Sequence, residues 1–412
     1  MKSKICAMKK IICVLVLLLA VLQTLLAQTG FSVEKSVRYL ASEELEGRAA
    51  GTAGDSLAAD YIAKTFANFG LKPLFEDYFS LFNIIQRERG KTVWDTIVTR
   101  NVIAIREGND SVLKNRYIVI CAHFDHLGRD EDDLYLGAND NASGTAAVLN
   151  IAQLFAQTSA DKTLIFAAFG AEERGLHGSA HFVKNLPFLS ENIDAVINFD
   201  MIGRLAYDGF SVTGKQTSKL LGKLIKKEAR KSKVRIKHSD NTFFDGSDHY
   251  TFYLKNIPFL CFNTGLDEDH YHSPNDVVAN IDFKGIETLS EIAFRLVKTL
   301  GNTNEKPDCI KIEKKIRSTT ISTEKFGFQI TLNFGRDSSY VFDGKIKWVA
   351  KTGKEAGLQA GDILLKINKR KINSEEEFFA ALHYENAEFN KITVKRGQKT
   401  ITVRVKQHVW EN

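Results

Sequence analysis

The chain has 412 residues and a formal net charge of +6. Four of those positive charges are lysines in the first ten residues, so the remainder carries +2, which gives no ground for a nucleic-acid or anionic-membrane partner. Beyond residue 27 only Cys121, Cys261 and Cys309 remain, an odd count that does not describe a disulfide framework in a chain this long.

At the start, "MKSKICAMKK" is basic without an acid and precedes the apolar run "IICVLVLLLAVLQTLLA". This predicts a signal peptide over residues 1–27, cleaved after Ala27, and an exported protein, periplasmic or secreted, with no membrane span after cleavage. An uncleaved anchor is the alternative reading of the same run. The remaining chain of about 385 residues suggests two or three domains. A helix is predicted from an N-cap at Asp55 through "SLAADYIAKTFANFG", with Leu57, Tyr61, Ile62, Phe66 and Phe69 on one face and Gly70 as its stop. From there to residue 301 short apolar runs ("NVIAI", "RYIVICA", "TLIFAAF", "AVINF", "FSVTG", "IPFLCF") alternate with helical stretches such as "SGTAAVLNIAQLFAQ" and "SKLLGKLIKKEARKS". That pattern predicts an α/β domain over residues 28–301, a mixed, mostly parallel central sheet sandwiched between helices. "GIETLSEIAFRLVKTL" closes it as an amphipathic helix. Residues 302–318 are polar and charged and read as a linker, and residues 319–408 read as a small β-rich domain with one helical patch, "SEEEFFAALH".

Acidic and histidine residues follow the buried runs closely. "RYIVICA" ends in His123-Phe124-Asp125-His126, "TLIFAAFGA" in Glu172-Glu173, and "AVINF" in Asp200. Asp140 in "GANDNASG" stands just before a helix, and His272 lies in the loop "HYHSPND". In open α/β sheets the crevice beyond the carboxyl ends of the strands is where such side chains converge. Histidine nitrogen and carboxylate oxygen are the ligands of catalytic zinc. One ion does not need five of them; two ions sharing a carboxylate would use all five, and a surplus glutamate of the Glu172-Glu173 pair is free to act as general base.

The ordered set His-x-Asp, Asn-Asp-Asn-Ala-Ser-Gly, Glu-Glu, Asn-Phe-Asp-Met-Ile-Gly and Tyr-His-Ser-Pro-Asn-Asp resembles the co-catalytic zinc aminopeptidases, the group of bacterial leucyl aminopeptidase and aminopeptidase S, with glutaminyl cyclases as relatives. The likeness starts at "LEGRAAGTAGD" and extends to about residue 300. It implies two zinc ions per chain, one held by His123 and Asp200, the other by Glu173 and His272, with Asp140 bridging. It implies Glu172 as the base and Asp125 as the group that holds the His123 imidazole in its tautomer. His126 is then a neighbour of the centre, and His270 a rim residue. The resemblance also implies a cis peptide between Asp140 and Asn141, and Met201 and Tyr271 as substrate-pocket positions. Ala171 departs mildly from the glycine that relatives often carry before the glutamate pair. The implied substrates are peptides with a free N-terminus.

Downstream, "KEAGLQAGDILLKINKRKI", residues 354–372, resembles the Gly-Leu-x-x-Gly-Asp segment and following strand of PDZ domains. "KFGFQI" resembles their carboxylate-binding loop, with Phe326, Gly327 and Phe328 as the residues implied to meet a protein or peptide C-terminus. Two other functions remain open on the sequence: a zinc-dependent glutaminyl cyclase, and a catalytically inactive binding or scaffold protein.

Overall fold

Five of the six apolar runs are inner strands of one eight-stranded sheet, and "FSVTG" lies at its edge. The computed structural model describes residues 31–87, 94–130, 133–205, 209–237, 245–265, 269–312, 319–323, 328–334, 340–341, 344–349, 351–372 and 389–406. Its strands are β1 (Lys72–Pro73), β2 (Phe79–Arg87), β3 (Trp94–Arg106), β4 (Tyr117–His123), β7 (Thr163–Phe169), β8 (Ile193–Phe199), β9 (Ser211–Thr213) and β10 (Phe259–Asn263). A separate hairpin joins β5 (Gly128–Asp130) to β6 (Asp133–Tyr135). The sheet order is β1-β3-β7-β4-β8-β10-β9, with β2 on β3.

Pairings are parallel between β7 and β4, β4 and β8, and β8 and β10. They are antiparallel between β1 and β3, β3 and β7, and β10 and β9. The sheet is therefore mixed, and the expected parallel character is confined to the four middle strands. An apolar run reports burial on both faces, not the direction of the neighbouring strand, which is why the edges were not legible. The parallel register sets His123 opposite Phe169, and Phe199 opposite Phe262. The residues that follow these strand ends thus emerge at one edge of the sheet.

Five helices contribute to the core on one face: α1 (Val33–Leu40), α2 (Ala53–Asn68), α3 (Gly144–Ala156), α5 (Lys219–Lys231) and α7 (Phe283–Gly301). They share a buried cluster with Ile118, Ile120 and Ala122 of β4 and with matching alternate residues of its neighbours. Beside the sheet, Phe182 of α4 (His177–Lys184) and Phe252 of α6 (His249–Tyr253) meet Phe169, with ring centroids 5.6 and 6.1 Å from it. Helix α2 begins three residues earlier than expected: Thr52 is its N-cap and accepts from the Asp55 amide at 3.2 Å, so Asp55 sits inside the first turn.

This first compact unit ends at Ile310. Residues just beyond α7 hold to it: Asp308 accepts from Ser218 Oγ (2.9 Å) and the Lys219 amide (3.0 Å), and the Ile310 amide donates to Thr217 (2.7 Å). Among the described residues no helix is long and apolar enough to cross a membrane. Residues 1–27, where the signal peptide is expected, lie outside the described set.

The second unit, from Lys311 onward, is β-rich. One sheet pairs β12 (Phe328–Phe334) with β11 (Thr319–Thr323), β13 (Tyr340–Val341) and β14 (Ile346–Val349). Another runs β16 (Arg370–Lys371), β15 (Ile363–Ile367), β17 (Phe389–Arg396), β18 (Lys399–Lys406). Its own buried cluster includes Ile346, Leu358, Leu364, Ile367, Ile392 and Val394. Phe326, Gly327 and the expected "SEEEFFAALH" helix lie outside the described residues, and Phe328 opens β12.

Candidate metal centre

His123, the last residue of β4, has its Nδ1 3.2 Å from the main-chain carbonyl of Asp125 and 3.7 Å from that residue's carboxylate. Donation to the carbonyl puts the proton on Nδ1 and leaves the Nε2 lone pair facing the cleft. That Nε2 lies 3.4 Å from Asp140 Oδ1, 3.6 Å from Asp200 Oδ1 and 4.0 Å from Glu172 Oε2. The Asp125 carboxylate accepts from the amides of Glu172 (3.0 Å) and Glu173 (3.3 Å), and so fixes the turn that carries both glutamates.

Asp140 faces two ways. Its Oδ2 is 3.3 Å from His272 Nε2, which is itself 3.1 Å from Glu173 Oε2. The Asp140–Asn141 peptide is cis, as the resemblance implied. Hydrogen bonds hold the residues on either side of it. The Asn139 and Asp140 amides donate to the Asp276 carboxylate at 2.9 Å, Asn141 Nδ2 donates to the Phe199 carbonyl at 2.9 Å, and Asn139 Oδ1 accepts from the Gly203 amide at 2.8 Å. The loop before α3 is therefore stitched to the end of β8, beside Asp200.

The seven expected metal-centre residues converge here, but others do so as well. His126 is fully buried, with Nδ1 3.0 Å from Glu173 Oε1 and 3.9 Å from Asp140 Oδ2. Asp276 holds the Asp140 loop, and its signal was the last letter of "HYHSPND". Buried Arg48 donates to the carbonyls of Leu40, Phe124, Leu136 and Gly137, pinning the chain on both sides of the β5–β6 hairpin. It stands in the "LEGRAAG" stretch, yet nothing in that stretch announces a guanidinium buried against carbonyls. A cleft of about 520 Å³ opens beside Glu173 and His272, lined also by His126, Arg129, Tyr135 and Arg174. Of the two expected pocket residues, Met201 is buried at 3% exposure while Tyr271 is 41% exposed and stacks on His272.

The electrostatics follow from burying acids together. Burial raises the Glu172 carboxyl well above the usual range, with His123 opposing and Asp248, Asp200 and Glu173 adding to the rise. Burial pulls His272 down, but Asp140 and Glu173 outweigh it and lift the imidazole to about 10. Buried carboxylates that face one another across imidazole lone pairs are a donor set with acceptors in excess, and divalent cations fit it. Two groups suit an ion each: His123 with Asp140 and Asp200, and Asp140 with Glu173 and a histidine, His126 or His272.

The chain is thus an α/β protein whose mixed sheet carries a histidine–carboxylate cluster able to hold metal at the carboxyl edge of its parallel strands. Residues 101–297 match the family model described as peptidase family M28, and this segment carries all of the ligand candidates. The chain is 31% identical over 265 residues to an aminopeptidase of Pseudomonas aeruginosa, a match covering 56% of this chain and 47% of that protein. It thus spans about half the length of the curated relatives it matches. Among solved structures, a zinc aminopeptidase from Bacillus subtilis superimposes with a TM-score of 0.55 at 19% identity, over 68% of this chain and 97% of that one. Porphyromonas gingivalis glutaminyl cyclase gives 0.52 at 18%, over 65% and 97%. At these identities the likeness is one of fold.

Proposed function

We propose that the chain is an exported metallo-aminopeptidase that removes N-terminal residues from peptides with two zinc ions. The observation that carries this reading is Asp140: its two oxygens face two separate histidine–carboxylate half-sites, at 3.4 Å from His123 and 3.3 Å from His272. His123 and Asp200 would hold one ion, Glu173 and His272 the other, with Asp140 shared. Bound zinc supplies Lewis acidity, polarising the scissile carbonyl and acidifying a water.

The remaining chemistry belongs to the side chains. Glu172 takes the proton from the attacking water and returns it to the leaving amine, for which its raised proton affinity suits it. Asp125 positions Glu172 through the backbone of the glutamate turn. Tyr271 and Met201 are the proposed substrate contacts. Residues 1–27 are the proposed export signal.

The C-terminal unit is read as a PDZ-type module taking a peptide C-terminus beside Phe326, Gly327 and Phe328. Support comes from Gly357 and Gly361, both at φ near +95°, which bracket buried Leu358.

The test is release of amino acids from a panel of aminoacyl fluorogenic substrates, with an N-terminal glutamine peptide alongside. Chelator-sensitive release that disappears in Glu172→Gln supports the proposal. Loss of ammonia from the glutamine peptide without release would replace it by a cyclase. Silence on both, with no zinc bound, would leave a binding protein.

A further inference from the structure

The proposed ligand set leaves one buried imidazole of the cluster without a task. His126 lies three residues beyond His123, its side chain is fully enclosed, and its ring has been given room. A Cβ on Gly137, which is held at φ +59°, would fall 2.5 Å from His126 Cγ. His126 Nε2 is buried with no hydrogen-bond partner among the described residues. The short polar contact of the ring is therefore Nδ1 to Glu173 Oε1 at 3.0 Å. Against a carboxylate, which only accepts, that nitrogen carries the proton and donates.

The consequence falls on the other oxygen of Glu173. A carboxylate ligand can turn to offer one oxygen or both. With Oε1 held by His126, Oε2 is the atom that points at His272 Nε2, 3.1 Å away, in the half-site shared with Asp140. We propose that His126 is a positioning residue for the second zinc: its Nδ1–H fixes Glu173 as a single-oxygen ligand through Oε2. This inference rests on the two-zinc reading above. Hydrogen bonds of this kind typically account for a 10–100-fold difference in metal affinity.

The experiment measures zinc, not turnover. The two successive zinc affinities of the full chain are determined by competition with a chromophoric chelator, for wild type, His126→Phe, His126→Leu and His126→Asn. Phenylalanine and leucine fill space without a donor. The asparagine amide nitrogen is bonded to Cγ, as histidine Nδ1 is, and can donate from nearly the same place. Melting of the metal-free forms identifies which donorless variant is folded, and that one is used. The expected result is one zinc affinity weakened about 10–100-fold in the donorless variant, the other unchanged, and most of the loss recovered in His126→Asn. Two unchanged affinities in the donorless variant would overturn the proposal. So would an asparagine variant as weak as the donorless one, the behaviour of a ring that ligates zinc itself or serves only as packing. A wild-type chain that takes up no zinc would instead overturn the two-zinc reading on which the inference stands.

Discussion

Glu172 and Asp55 are both buried acids with raised proton affinity, and their surroundings decide what each does with it. Glu172 stands 4.0 Å from His123 Nε2, further than Asp140 and Asp200, so it is the carboxylate left over once the half-sites are filled. Glu172→Gln preserves shape and removes the base. Turnover on aminoacyl substrates is expected to fall by about 10²–10⁴-fold with both zinc ions still bound, and undiminished turnover would rule out the role. Asp55 stands outside the proposed ligand set, in the first turn of α2. Its Oδ2 accepts from the Gly51 amide (3.1 Å) and Thr99 Oγ1 (2.9 Å), while Oδ1 is buried without a partner. Burial lifts its pKa from 3.8 to about 6, with those two hydrogen bonds opposing. The folded state therefore holds the proton more tightly than the unfolded one. The stability this represents is fully present below about pH 3.8 and is lost as pH rises through about 6. Asparagine keeps an acceptor for both donors and carries no charge to bury. Asp55→Asn should gain on the order of 1–3 kcal/mol over wild type at pH 8 and much less at pH 4, read from urea midpoints at the two pH values. An equal effect at both would show that Asp55 stays ionised.

At the scale of elements, the long helices and inner strands were legible because burial writes a period into the sequence. Helices α3 and α5 and strands β4, β7 and β8 stand where the apolar runs predicted them. Strand β2 and the β5–β6 hairpin were not read: they belong to an edge and to a separate ribbon, where no continuous apolar run is required. The residues of the cluster were legible because several spaced motifs agreed, whereas His126, Arg48 and Asp276 make contacts that include partners 47 to 137 residues away in the chain. No local pattern encodes such partners. One element junction is more demanding than its sequence suggests. Gly144 opens α3 with ordinary helical angles, where alanine would normally stabilise by about 1 kcal/mol. Here an added Cβ would lie 2.3 Å from Asn141 Oδ1 and 2.5 Å from the Phe199 carbonyl. The helix start must approach β8 that closely to set Asp140 beside Asp200. The clash outweighs the propensity, so Gly144→Ala is expected to be destabilising by about 1–3 kcal/mol and to weaken zinc binding, by thermal melting and chelator competition. A variant more stable than wild type, with zinc affinity intact, would show that the junction can open at no cost.

For the whole molecule, the two units differ in what holds them. The second rests on its own apolar cluster around Ile346, Leu364 and Ile392. In the first, Asp140, Asp200, Asp125 and Asp248 are buried around His123, and Glu172 and Glu173 are nearly so. Without cations these acids repel one another or take up protons; with cations they are ligands. Zinc binds a site that exists only in the folded chain, so its binding free energy adds to folding free energy. With free zinc at a thousandfold its dissociation constant, one site is worth about 4 kcal/mol. In a domain of this size, at about 2.1 cal/mol/K of unfolding entropy per residue, that is roughly 7 °C in Tm. Chelation removes both ions and should therefore lower one thermal transition by about twice that amount. Hydrogen exchange should assign the loss to peptides from β4, β7, β8 and the Asp140 loop, with β15, β17 and β18 unchanged. Equal loosening of both units on chelation would mean that they fold as one. No loosening in either would mean that the acid cluster is stable without metal, and the two-zinc reading would fall with it.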